Sequence, residues 1–393
     1  MRRAGKRGDT ALTTLTRPEK GVRDSTLFRS VTEGAIASFG VALVICAAVA
    51  SQPWLDRHFL PSFSVARPWY VRIETTVRLV AAASGAALAL VARPIARVVT
   101  RTPVQAVHIG IAAVLAFGMS EVVLRRVHLR ASEWLLPDEE PRRRPDPRLG
   151  WALAPARTGH LTVGGRAIDY AIDPAGYRVR RAGEPVDPER PAILFTGESI
   201  VFGEGLTWEE SVPAQVGAMT GIQSANLAVN GYGNDQAYMR LRDELPRFRR
   251  PVAVVSLFMT VLLGRNIDDD RPHLDPGLAW RPATARGRLA ALWKLLVPYR
   301  SDAAVERGIA MTRDVLRATI ELARARGAKA LIVVPHLGPE DGIERALRRR
   351  VLDEAGISYV WVELDASWHL PRDEHPDARG AQAIAIAIAA RLP

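Results

Sequence analysis

Three apolar runs crowd into the first third of this chain, and they constrain its fold more than any other feature. Gly34 to Trp54 and Thr102 to Ser120 carry no charged residue, and each approaches the ~20 apolar residues that cross a bilayer core. Between them, Leu79 to Ala92 is uncharged but short, and it spans only if Arg78 and Arg93 snorkel toward the headgroups. A buried core helix would explain any one run. It does not explain three in succession, separated by short loops that hold Arg57, Arg67 and Arg72 or Arg93, Arg97 and Arg101. The pattern predicts about three transmembrane helices.

Orientation follows from the basic residues. Arg2, Arg3, Lys6, Arg7, Arg17, Lys20, Arg23 and Arg29 form a basic arm, and Arg93, Arg97 and Arg101 crowd the second loop. Both are expected on the cytoplasmic side, which puts everything after the third span outside; Arg125, Arg126 and Arg130 dilute this bias. The expected localisation is a bacterial-type cytoplasmic membrane. Ala48-Val-Ala-Ser51 mimics a signal-peptidase site, but the basic arm is long for a cleaved signal, so an uncleaved anchor is expected. The organisation read from the chain is a basic arm at 1–30, a transmembrane region at 31–126, a linker at 127–150 and one globular domain at 151–393. The linker reading rests on Pro137-Asp-Glu-Glu-Pro-Arg-Arg-Arg-Pro-Asp-Pro147, too rich in proline and charge for a helix or a buried strand.

The formal charge of +11 could suggest nucleic acid. Much of the excess, however, lies in the arm and the juxtamembrane arginines, which suit anionic headgroups, and no zinc-ligand cluster, RNA-binding signature or helix-turn-helix pattern accompanies it. The single cysteine, Cys46, lies inside the first span and excludes an intrachain disulfide framework.

Beyond the linker, Gly159 to Tyr170 alternates around Gly164-Gly165 and predicts a β-hairpin. Strands are then expected at Ala192 to Phe195, Gln223 to Ala228, Val252 to Phe258, Ala328 to Pro335 and Tyr359 to Leu364. Amphipathic segments separate them, the clearest being Asp302 to Arg326, closed by Gly327. Strand and helix in alternation imply an α/β domain whose parallel sheet is covered on both faces, with its site at the carboxyl ends of the strands.

Chemistry-bearing residues fall at those ends. Ala192-Ile-Leu-Phe-Thr-Gly-Glu-Ser-Ile-Val-Phe-Gly-Glu-Gly205 puts Ser199 directly after an apolar run, and Asp373-Glu-His-Pro376 supplies a carboxylate and an imidazole before the last helix. A serine hydroxyl is a weak nucleophile until a base takes its proton, and that base works best when a carboxylate orients it. Either motif alone reads as a turn; in this order and spacing they point to a nucleophile and its base.

Four blocks resemble the SGNH, or GDSL-like, hydrolases. Gly197-Glu198-Ser199 with Phe202-Gly203-Glu204-Gly205 resembles the first, with Glu198 where aspartate is usual, and Asn226 to Gln236 resembles the second. In the third, Thr260 stands where the family carries asparagine, and in the last Arg372 occupies the usual carboxylate position while Asp373 lies two residues before His375. The resemblance covers roughly Asp146 to Pro393 and implies a three-layer, flavodoxin-like α/β fold. It implies Ser199, Asp373 and His375 as a catalytic triad, and an oxyanion hole from the N–H groups of Ser199 and Gly231, with the Thr260 hydroxyl as a weaker third donor. Asn266, six residues on, either folds into the site or belongs to a charged loop.

His336, ending the fourth strand, is a candidate for the substrate cleft, while His369 reads as a structural cap and His108 as packing or interfacial. Asp268, Asp269 and Asp270 read as a solvated run rather than a metal site, and neither metal nor cofactor is expected. The function these readings imply is ester hydrolysis, as an esterase or an O-deacetylase of carbohydrate or lipid, with an ester-bearing small molecule, lipid or glycan as partner. The alternatives are an O-acyltransferase acting on envelope glycan and an inactive binding module of the same fold.

Overall fold

A computed structural model describes residues 20–59, 67–130, 133, 139–284, 286–371 and 373–392. The basic arm through residue 19, Pro137 and Arg372 therefore lie outside the described residues. The chain divides into two compact units, one of residues up to 50 with 75–117, the other of 51–74 with 118 onward.

The first unit is built from helix α1 (Lys20–Val49) and most of α3 (Arg67–Arg101) and α4 (Pro103–Leu124), the start of α3 and the end of α4 falling in the second. Three stretches are long and apolar enough to cross a membrane: Thr26–Val49, Pro68–Arg101 and Val107–Leu124. The second differs from the short run read in the sequence, because arginine is a good helix former and the helix runs on past Arg78 and Arg93, even with Pro94 inside it. The first differs at its end. Pro53 cannot donate to a continuing helix, so α1 stops at Val49 and Trp54 lies in a separate short helix, α2 (Gln52–His58). Helices α1 and α3 meet at two glycines: a Cβ on Gly40 or on Gly85 would come within 2.5 Å of the other's carbonyl oxygen. Small residues at such a crossing let two apolar helices pack backbone to backbone.

The second unit is a three-layer α/β domain. Its eight-stranded sheet has the order β12-β11-β8-β6-β7-β5-β4-β3. Strands β6 (Pro191–Thr196), β7 (Gln223–Asn226), β8 (Arg250–Leu257), β11 (Lys329–Leu337) and β12 (Val360–Leu364) are mutually parallel. The hairpin of β3 (Arg157–Val163) and β4 (Arg166–Ile172), with the short β5 (Arg178–Val179), extends this core antiparallel beyond β7. In the order of the parallel strands along the chain, the sheet reads 5-4-3-1-2, a flavodoxin-like winding whose switch point lies between β6 and β8.

Alternation along the strands builds both faces. Ile193 and Phe195 of β6, with Val255 of β8, pack with Val216 of α6 (Val212–Thr220) and with Ile384 and Ile388 of α12 (Ala378–Ala389). Leu194 and Val254 point the other way, to Leu241 of α7 (Asn234–Glu244) and Ala323 of α10 (Asp302–Ala325). The remaining elements are the single turns α5 (Ser199–Phe202) and α8 (Leu263–Asn266), the helices α9 (Arg288–Leu296) and α11 (Gly342–Arg348), and the small pair β9 (His273–Asp275) with β10 (Ala279–Arg281).

The segment read as a linker is not wholly one. Arg143–Asp146 forms strand β1, paired antiparallel with β2 (Gly150–Leu153), and the Arg143 side chain is buried. Pro145 is tolerated because a two-stranded ribbon leaves each strand one free edge.

Candidate active site

Strand β6 ends beside the switch point, and the chain turns at Gly197 into α5, with Ser199 as its first residue. The Glu198 carboxylate caps this turn by accepting the Ile200 N–H at 3.2 Å. Arg178, fully buried, holds the turn from below: Nη1 donates to the carbonyls of Phe202 and Gly203, and Nη2 to that of Leu206, each at 2.6 Å. Gly203 sits at φ 85°, and a Cβ there would lie 2.6 Å from Arg178 Nη1, so the close approach of backbone to guanidinium requires glycine. Burial pushes the Arg178 guanidinium down to about 10.

After β7, the Asn226 amide donates to the carbonyls of Val201 and Phe202, tying the second loop to the first. The chain then reaches Gly231 at φ 81°, where Arg271 Nη1 donates to its carbonyl at 2.9 Å. That leaves the Gly231 N–H without a partner among the described residues, as is the Ser199 N–H at the open end of α5. Strand β2 supports this loop: Trp151 Nε1 donates to the Asn230 carbonyl at 3.0 Å, and the Tyr232 hydroxyl donates to the Trp151 carbonyl at 2.6 Å.

The third part comes from the loop before α12, where Asp377 caps the helix and the Leu370 N–H donates to the His375 carbonyl. His375 Nε2 lies 2.6 Å from Ser199 Oγ, and its Nδ1 lies 2.6 Å from Asp373 Oδ1. The same carboxylate oxygen accepts the His375 backbone N–H at 3.1 Å. This tight turn lets an acid two residues before the histidine reach its ring. The structure therefore brings Ser199, His375 and Asp373 into one line.

Two further carboxylates crowd that line. Ser199 Oγ is 2.5 Å from Glu198 Oε2, and Glu204 Oε2 stands 3.7 Å from His375 Nε2 while accepting the Asn230 amide at 2.7 Å. The hydroxyl has one proton and cannot donate to Glu198 and to a neutral Nε2 at once. With the ring protonated, Nε2 donates to Oγ and Oγ donates to Glu198; with the ring neutral, the serine proton turns to Nε2. Burial works to lower the His375 pKa, but the bond to Asp373 and the charges of Glu204, Asp373 and Glu198 outweigh it, and the net shift is upward from 6.5. Burial likewise pushes the Asp373 carboxyl up, yet its bonds to His375 hold it below the ordinary carboxylate range.

The sign of a pH effect follows. If His375 acts as a base it must be neutral, so kcat/KM should fall as pH drops through a value above 6.5. In Glu204→Gln one facing charge is gone, and that limb should move to lower pH in a pH–rate profile; an unmoved limb would separate Glu204 from the histidine. The raised pKa also contributes stability that is fully present below the ordinary histidine value and fades as pH rises through the folded one.

The other residues singled out in the sequence lie as follows. Thr260 opens a 3-10 turn two residues beyond Phe258, and among the described residues its hydroxyl has no hydrogen-bond partner. Thr260→Ala tests its hydroxyl as a third donor: a loss of roughly 10²- to 10³-fold in kcat is the cost of a missing oxyanion bond, and a change within about threefold would remove Thr260 from that role. Asn266 is buried, accepts the Asn234 N–H at 2.8 Å and donates to Thr312, so it caps the start of α7.

His336 pairs with Glu344 at 3.1 Å and with the Gly338 carbonyl, and stacks on Trp361. It is thus held by α11. His369 contacts the carbonyls of Leu370 and Asp373 within the loop that carries His375. Asp268, Asp269 and Asp270 do not face water as a run. All three surround Lys294 Nζ at 2.6, 2.9 and 2.8 Å, and Arg286 bridges the last two. A cavity of about 670 Å³ lies between α9 and α10, and none of Ser199, Gly231, Asp373 or His375 lines it.

Sequence reasoning missed Arg178 and Arg271, and it gave no role to Glu204 and Asn230, which lie in the first and second of the resembling blocks. The glycines at 203 and 231 were the available signal that backbone and side chains pack closely there.

No protein-family profile matches the chain, and no curated protein matches it. Solved structures do. A lipolytic protein of the G-D-S-L family from Desulfitobacterium hafniense DCB-2 is similar at 14% identity over 51% of this chain and 98% of its own, with a TM-score of 0.32. A G-D-S-L lipolytic protein from Veillonella parvula DSM 2008 matches at 12% identity over 51% and 97%, with a TM-score of 0.32. An acetyl xylan esterase from the rumen bacterium Butyrivibrio proteoclasticus matches at 12% identity over 53% and 64%, with a TM-score of 0.33. Similarity this distant carries nothing about activity.

Proposed function

We propose that this chain is a membrane-anchored serine ester hydrolase. The observation that carries the reading is the line Ser199 Oγ, His375 Nε2, His375 Nδ1, Asp373 Oδ1, with 2.6 Å at each hydrogen-bonded step. Ser199 attacks an ester carbonyl while His375 takes the hydroxyl proton and passes it to the departing alkoxide, and Asp373 holds the ring and stabilises the imidazolium. The unpartnered N–H groups of Ser199 and Gly231 are suited to receive the oxyanion. Water, deprotonated by His375, then releases the acyl group and frees Ser199.

The three apolar helices support an integral membrane anchor. The basic arm and second loop favour a catalytic domain outside the cytoplasm, where esters of envelope carbohydrate or lipid are the substrate class. The test is to incubate the full chain in detergent with an aryl acetate, with and without an oligosaccharide acceptor, and to label it with a fluorophosphonate. Acyl groups ending on water and a labelled Ser199 are expected. Acyl groups ending on the sugar would make the protein a transferase, and a folded chain that neither turns over nor labels would make it a binding module.

A further inference from the structure

Helix α9 is amphipathic with its faces reversed. Arg288, Ala291 and Lys294, spaced three apart, turn inward: Arg288 pairs with Glu133 at 2.7 Å, Ala291 is buried, and Lys294 sits among Asp268, Asp269 and Asp270. The outward side carries Trp293 and Leu296, 67% and 68% exposed. Tyr299, just past the helix, is also exposed and lies 6.1 Å, centroid to centroid, from the exposed Trp54 of α2. A surface helix in water ordinarily does the opposite, and a cluster of large apolar side chains held outward by inward ion pairs is built to meet something other than water.

Two attachments say what that is. The Glu121 carboxylate, in the last turn of the span Val107–Leu124, accepts the backbone N–H groups of Arg288 at 2.6 Å and Leu289 at 2.9 Å, so α9 starts where the third apolar helix ends. Helix α2 follows α1 after only Ala50 and Ser51, and is tied to the far end of α9 by the Arg300 N–H donating to the His58 carbonyl at 2.7 Å and by Arg57 paired with Asp302. One end of the patch is thus fastened to the last turn of α4, and the other to α2, which follows α1 in the chain.

We propose that α9, with Tyr299 and Trp54, is a lipid-facing collar: it lies in the headgroup region of the bilayer with Trp293 and Leu296 dipped toward the acyl chains, and so holds the catalytic domain at the membrane surface. Tryptophan and tyrosine are the side chains that favour this boundary, and a helix with an apolar outer face lies along it. The proposal rests on α4 spanning the membrane, and the test separates the two.

In the full chain with Cys46→Ala, single cysteines are introduced as Val114→Cys within the span, Leu296→Cys on the collar and Ala279→Cys on the exposed strand β10. Each is labelled with an environment-sensitive fluorophore and reconstituted into phosphatidylcholine vesicles containing phosphatidylglycerol, with or without brominated acyl chains. The collar predicts that labels at 114 and 296 emit at shorter wavelength and lose most of their emission to bromolipid, while 279 does neither. Quenching at 114 with 296 behaving like 279 would overturn the collar alone. Absence of quenching at 114 as well would overturn the membrane reading with it. A wavelength shift at 296 without bromolipid quenching would mean a protein partner and would also overturn the proposal.

Discussion

Ser199→Ala is expected to lower kcat for an aryl acetate by roughly 10⁴- to 10⁶-fold and to abolish fluorophosphonate labelling, with the thermal midpoint little changed. The size follows from what the hydroxyl does. Without it no acyl-enzyme forms, and only binding and the two N–H groups remain to help water attack the ester directly. In Ser199→Ala, Glu198 also loses the hydroxyl 2.5 Å away but keeps the Ile200 N–H, so the turn retains its cap. A variant that folds and still turns over at more than about one hundredth of the parent rate would remove Ser199 from the mechanism, whatever the geometry of its neighbours.

The largest effect on stability is expected at Arg178. Its guanidinium donates to three carbonyls of the turn carrying Ser199, lies 4.7 Å from the Tyr170 ring centroid and 5.0 Å from that of Phe202, and has no exposed surface. Arg178→Met keeps much of the volume but strands buried carbonyls, at a cost of about 3 to 5 kcal/mol. For a domain of this size that corresponds to a fall in thermal midpoint of roughly 10 °C. Arg178→Lys should recover only part of it, because one ammonium cannot reach across the set that the planar fork serves. A fall of less than about 2 °C in Arg178→Met, measured calorimetrically on the full chain in detergent, would mean that Asn226, which also bonds the Val201 and Phe202 carbonyls, carries the turn alone.

Much of the architecture was legible because it rests on local rules. Ile193, Leu194 and Phe195 alternate between two cores, Gly164-Gly165 turns a hairpin, and Asp377 caps the last helix, and each of these is visible in a few consecutive residues. The juxtaposition of Ser199 with His375 was legible for a different reason: both follow apolar runs that must be parallel strands or lead into the last helix, and such ends share one rim. What escaped were charges that fold inward. Arg178 and Arg271 look like surface arginines in the sequence, and nothing in their neighbours announces that loop carbonyls will surround them. Helix α9 escaped in the same way. Periodicity divides Trp293 and Leu296 from Arg288 and Lys294, but it does not tell which side meets the protein. The linker reading failed at Arg143–Asp146 because proline and charge exclude a central strand and not a two-stranded ribbon.

That ribbon ties the segment after the apolar helices to the Gly231 loop. Strand β2, its return strand, carries Trp151, which donates from Nε1 to the Asn230 carbonyl and accepts the Tyr232 hydroxyl at its own carbonyl, and so holds the residues on either side of Gly231. A fragment trimmed to begin just after residue 151 would therefore lose a prop of the Gly231 loop, and weak activity in it would report the cut and not the whole chain.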